Sequence, residues 1–71
     1  MEETTKLTKR ERETLFYVAK GYTNTKIAQI MFVSNHTIKQ HILSAMRKLN
    51  AKNRANLAVI AVKKKYIEYE I

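Results

Sequence analysis

"VSNHTIKQHILSAMRKL", residues 33–49, is the stretch on which the reading of the fold turns. Ser34 is a helix-capping residue, and the residues after it carry apolar side chains at helical spacing. Ile38, Ile42, Ala45, Met46 and Leu49 fall within roughly 100° of one another on a helical wheel, a single stripe suited to a core. His36, Gln40, Leu43 and Arg47 lie opposite, with Lys39 on the flank, and no acidic residue occurs anywhere in the stretch. A face so polar, so basic and so empty of carboxylates is either solvated surface or a surface shaped for something negative.

Charge along the rest of the chain favours the second reading. Fourteen Lys and Arg stand against six acidic residues, a net charge of +8 in 71 residues. All six acids are glutamates near the ends, at 2, 3, 11, 13, 68 and 70, so Thr14 to Ile67 contains none. That window holds Lys20, Lys26, Lys39, Arg47, Lys48, Lys52, Arg54 and Lys63 to Lys65. Such a bias points to an anionic partner, nucleic acid first and an anionic membrane surface second, although a basic balance also keeps a small domain soluble. Cysteine is absent, which excludes disulfides and thiolate metal sites. The longest apolar run, "NLAVIAV", is too short to span a bilayer, and no signal peptide precedes it.

Working outward, the punctuation defines four helices. Proline is missing and Gly21 is the one glycine, so long connections are not expected. Thr8 and Glu11 form a T-x-x-E capping box that opens a first helix over about 9–20, burying Leu15, Val18 and Ala19. Gly21 suits a left-handed exit. Thr23 caps a second helix over about 24–32 with Ile27, Ile30 and Met31 inward. Asn50 provides a left-handed exit from the third helix, and Asn53 caps a fourth over about 54–65. Only Val33 and Ser34 separate the second and third helices, so the pair turns sharply as a helix-turn-helix whose second helix is the one expected in a major groove. The fourth helix has apolar surface to spare. Leu57, Ile60, Ala61 and Ile67 make one stripe, and Ala55, Val59, Val62 and Tyr66 make another nearly opposite. Deep burial or a twofold partner would each account for the second stripe.

These motifs resemble a known family. "LTKRERETL" (7–15), "IA" (27–28), "VSNHTIKQHI" (33–42), "MRKL" (46–49) and "NR" (53–54) follow the pattern of the LuxR/GerE-type helix-turn-helix domain over about residues 7–67. The resemblance implies an all-α, four-helix domain that binds DNA as a homodimer through its fourth helix, in a bacterial transcription regulator of the cytoplasm and nucleoid. The short lead and Met1 imply a free-standing GerE-like transcription factor, with residues 1–6 a flexible lead and 68–71 a tail. The sequence departs from the pattern at Lys26, where an acid is usual, at Asn50 and Lys65, where glycine is common, and at Leu43, where some relatives are polar. The base sequence read is therefore not transferable.

Lys39, Gln40 and Leu43 are the expected base readers: lysine for a guanine edge, glutamine for adenine, leucine for a thymine methyl. Thr23, Lys26, Ser34, His36, Thr37, Arg47, Lys48 and Arg54 are the expected phosphate contacts, and Ala55, Val59, Val62 and Tyr66 the expected dimer seam. Each exposed polar residue also has a plain reading as solvated surface. His36 and His41 are too far apart around the helix to share a metal, and no cysteine or nearby acid completes a set, so neither metal nor cofactor is expected. Tyr17, Tyr22 and Phe32 are expected to pack inside, not to stack on bases. No acid–base pair, nucleophile constellation or phosphate loop suggests an enzyme. The competing reading is an adaptor that contacts RNA polymerase or a larger regulator and has only non-specific DNA affinity.

Overall fold

The computed structural model describes residues 6–63, which form four α-helices: α1 (Lys9–Ala19), α2 (Asn24–Met31), α3 (Asn35–Leu49) and α4 (Arg54–Lys63). No strand occurs among the described residues. The expected continuation of the fourth helix to Lys65, the stripe residues Tyr66 and Ile67, and the tail 68–71 lie outside the described residues.

Each helix begins where a short polar side chain takes a backbone N–H that the helix cannot satisfy itself. The Thr8 hydroxyl accepts from the Glu11 N–H at 3.1 Å while Glu11 Oε1 accepts from the Thr8 N–H at 2.9 Å, a complete capping box. Thr23 accepts from the Lys26 N–H and Ser34 from the Thr37 N–H. With lysine in place of an acid at 26, the Thr23 cap is one-sided. Asn53 Oδ1 accepts from the Asn56 N–H at 2.8 Å to open α4.

The first three helices also end alike, on a residue of positive φ: Gly21 at 87°, Phe32 at 60° and Asn50 at 57°. At each exit the next amide reaches back to a carbonyl of the last turn: Tyr22 N–H to Tyr17 O, Val33 N–H to Ala28 O, and Ala51 N–H to Met46 O. This bond closes a helix end against solvent. Gly21 and Asn50 are the expected occupants. Phe32 is not, and it corrects the expected end of the second helix: it lies just past α2, in the left-handed region, where a bulky side chain is disfavoured.

α1 packs against both α3 and α4, and α3 packs against α2 and α4. Leu15, Ile27, Ile38 and Leu57, one from each helix, are fully buried at the common centre, ringed by Val18, Met31, Ile42, Ala45 and Ala61. Truncating any of the four central residues to alanine should cost about 2–5 kcal/mol. Of the inward residues expected, Ala19, Ile30, Met46 and Leu49 are half-buried against this core. Tyr17 stacks on Tyr22 with ring centroids 5.8 Å apart, and Phe16 meets Tyr17 edge-on. Phe32 does not join them. It is 93% exposed, at the left-handed exit that follows α2.

Candidate nucleic-acid interface

α3 runs fifteen residues, and its fate differs by flank. Ile38, Ile42 and Ala45 enter the core. On the other side His36, Lys39, Gln40, Leu43 and Arg47 are all exposed, Leu43 at 46%. Among the described residues no side-chain hydrogen bond or ion pair engages Lys39, Gln40 or Arg47, so their polar groups face water. Leu43 gains little by standing there unless something apolar covers it. The face combines two amide donors, one amide acceptor, cationic side chains and an aliphatic side chain, the functional groups that match base edges, phosphates and a thymine methyl.

The expected phosphate contacts divide into three groups. Lys26, on the first turn of α2, is exposed with Thr23 beside it, and His36 and Arg47 are exposed on α3. Thr23, Ser34 and Thr37 carry hydroxyls already occupied in helix starts, since Ser34 Oγ and Thr37 Oγ1 lie 3.1 Å apart. Arg54 is exposed yet latched: its guanidinium donates to Asn24 Oδ1 at 2.6 Å and to the Tyr22 carbonyl at 2.8 Å, tying the start of α4 to the start of α2. Asn35 Nδ2 donates to Thr25 Oγ1 at 3.0 Å, a second strut that joins the opening turns of α2 and α3.

Lys48, the remaining expected phosphate contact, is engaged inside the protein. Its ammonium turns into the protein and donates to Glu11 Oε1 at 2.9 Å and to the Lys6 carbonyl at 3.1 Å, with the side chain 15% exposed. A lysine that neutralises a buried carboxylate meets a phosphate only at the cost of stranding that charge. Glu11 is the hub that sequence reasoning missed. Besides the Thr8 amide and Lys48, it accepts from Ser44 Oγ at 2.6 Å. Burial alone would raise its carboxyl, but the Ser44, Lys48 and Thr8 hydrogen bonds and the Lys48 charge hold it below the usual carboxylate range. The sequence marks Glu11 as a cap, and nothing local pairs it with residues more than thirty positions away.

On α4 the second stripe stays outside. Leu57 and Ala61 are buried, whereas Ala55 is exposed, Val59 is 53% exposed and Val62 is 37% exposed. Ala19, Ala58, Val59, Val62 and Lys63 line an open, mostly apolar groove of about 320 Å³. Tyr66 lies outside the described residues. His41 is half-buried and, among the described residues, makes no side-chain hydrogen bond. No cluster of His, Asp or Glu among the described residues could hold a metal ion, and none of their helices is long and apolar enough to cross a membrane.

A short capped helix, a sharp turn and a longer helix with an open, acid-free face define a helix-turn-helix DNA-binding domain. The family model for bacterial regulatory proteins of the luxR family matches residues 5–61, and the chain belongs to that family. Its similarity extends to the oxygen regulatory protein NreC of Staphylococcus carnosus, 44% identical over 63 residues, and to NreC of Staphylococcus epidermidis, 46% identical over 63 residues. Each match covers 89% of this chain and 29% of the relative, so the chain spans less than a third of those proteins. Among solved structures, the crystal structure of the phage VqmA–DPO complex superposes with a TM-score of 0.81 at 34% identity, covering 87% of this chain and 28% of that one. The chain is thus a luxR-type DNA-binding domain of the transcription-regulator class.

Proposed function

We propose that the chain binds a duplex operator of two half-sites as a homodimer. Lys39, Gln40 and Leu43 read base edges, while Thr23, Lys26, Ser34, His36, Thr37, Arg47 and Arg54 contact the phosphates on either side. The observation that carries this reading is the outward face of α3: exposed, acid-free, and without partners for Lys39, Gln40 or Arg47 among the described residues. Phosphate contacts supply most of the affinity, since each neutralised phosphate releases counterions and adds roughly −0.9 to the slope of log K against log salt. Base contacts supply discrimination, about 1–3 kcal/mol for a good bidentate pair. Two copies would join through Ala55, Val59, Val62 and Tyr66, which places one α3 at each half-site.

The decisive experiment is selection of bound duplexes from a random library, with sequencing of the enriched pool. An inverted repeat supports a dimer with specific readout. Enrichment without any motif would overturn it in favour of an adaptor that contacts RNA polymerase or a larger regulator. The seam has its own test. Val59→Glu should convert a dimer to a folded monomer in sedimentation, and a dimer that survives the substitution would move the seam elsewhere.

A further inference from the structure

We infer that Asn35 is an additional base-reading residue, held in position by Thr25, and that it contacts an adenine in each half-site. The inference rests on the operator reading above and assigns a specificity role to a residue outside the set named there.

Asn35 is the first residue of α3 and is exposed. Around the helix Asn35 stands about 40° before Lys39 and about 80° before Leu43, on the edge toward α2 where it meets Thr25, and all three are exposed. Lys39 and Leu43 are the base readers proposed above, and Asn35 lies one turn before Lys39 at the start of the same helix. Recognition helices of this class put their N-terminal residues against base edges.

What distinguishes Asn35 from an ordinary surface asparagine is the bond to Thr25. A solvated asparagine rotates among several orientations, and ordering it on binding carries an entropic cost. Here one N–H of the amide is fixed on Thr25 Oγ1 at 3.0 Å, which restricts the side chain before DNA arrives. That bond uses one of the amide's two N–H groups and leaves the carbonyl unused. Among the described residues nothing else engages either. An N–H and a carbonyl side by side are the pair that meets adenine N7 and the adenine amino group in the major groove. Thr25 belongs to α2, so the same bond sets the register of this amide against the helix that lies over the backbone.

Duplex selection with the full 71-residue chain tests the assignment, comparing the wild type with Asn35→Ala, Asn35→Asp and Thr25→Ala. The wild-type motif should hold an adenine at one position of each half-site. Asn35→Ala should lose preference there by roughly tenfold, with the other positions and the salt slope unchanged. Asn35→Asp should shift that position toward cytosine, because a carboxylate accepts from the cytosine amino group and cannot donate. Thr25→Ala should relax the same position by a smaller factor. Both residues are exposed, so thermal melts of all variants should stay near wild type. A wild-type motif that survives Asn35→Ala unchanged, or fades at every position together, would overturn this inference alone. A wild-type chain that enriches no motif would overturn the operator reading and this one with it.

Discussion

Arg47 and Lys48 are neighbours in sequence on one helix, and the fold uses them oppositely. Arg47 is exposed with no ion-pair partner among the described residues, whereas Lys48 reaches into the protein to Glu11 and the Lys6 carbonyl. Ser44, one turn earlier on the same flank as Lys48, donates to the other oxygen of that carboxylate. So α3 has an outer face whose cations have no partner among the described residues, and an inner flank on which Ser44 and Lys48 are committed to Glu11. A count of basic residues overstates the surface available to DNA, because a cation beside a buried carboxylate serves the fold first.

The largest effect that could break this contrast is on stability. Glu11→Ala removes a cap, a hydroxyl acceptor and the partner of Lys48 together, and it should destabilise the domain by about 2–3 kcal/mol in urea denaturation. A loss of only a few tenths would mean that α1 and α3 are held by apolar packing alone. The same group gives a pH signature. Its carboxyl is depressed in the folded state, so the stability it adds is present above the unfolded value of about 4.3 and drains away as pH falls through the lower folded value. Melting temperature should therefore drop steeply on acidification below that point in the wild type. In Glu11→Gln, which starts lower, the drop should be shallower.

DNA binding sharpens the contrast from the other side. Arg47→Ala and Lys39→Ala should each weaken binding and flatten the salt slope by roughly 0.9 if each meets one phosphate; a slope left unchanged at Lys39 alone would mean that it meets bases only. Lys48→Ala should lower stability while leaving the slope near the wild-type value. Should Lys48→Ala flatten the slope as much as Arg47→Ala, the internal pair would have to open on DNA, and the two flanks would not be distinct.

How far these differences could be read from the sequence depends on whether their causes are local. Thr8, Thr23, Ser34 and Asn53 cap helices through bonds to amides three residues on, so each start was legible from a few letters. The same holds for the outward face of α3, since periodicity alone decides which side of a helix turns from the core. Lys48 could not be read that way. Its chemistry depends on a carboxylate thirty-seven positions away, and the sequence shows only another lysine in a basic window. The strut from Asn35 to Thr25 spans ten residues across a sharp turn, and periodicity says nothing of it. Phe32 failed for a different reason. An aromatic residue at the end of an apolar stripe reads as core, and only the backbone geometry shows that it has left the helix.

The three left-handed exits turn that last failure into the smallest and cleanest comparison. Gly21, Phe32 and Asn50 end their helices with the same backward hydrogen bond, so the backbone task is shared and the side chain is the variable. A side chain in this region costs roughly 1–2 kcal/mol for most L-residues, and asparagine bears it better than most. Gly21→Ala should therefore destabilise by about 1 kcal/mol through φ alone, because an added Cβ would meet nothing within 4 Å. Phe32→Gly should stabilise by about 0.5–1 kcal/mol. It relieves the same strain and gives up almost no burial at 93% exposure, although the greater freedom of glycine in the unfolded chain offsets part of the gain. Asn50→Gly should change stability by only a few tenths of a kcal/mol. Chemical denaturation of the three variants orders them. If Phe32→Gly were destabilising instead, the Phe32 ring would have to be packing against the protein in solution, and α2 would end by burial and not by backbone geometry alone.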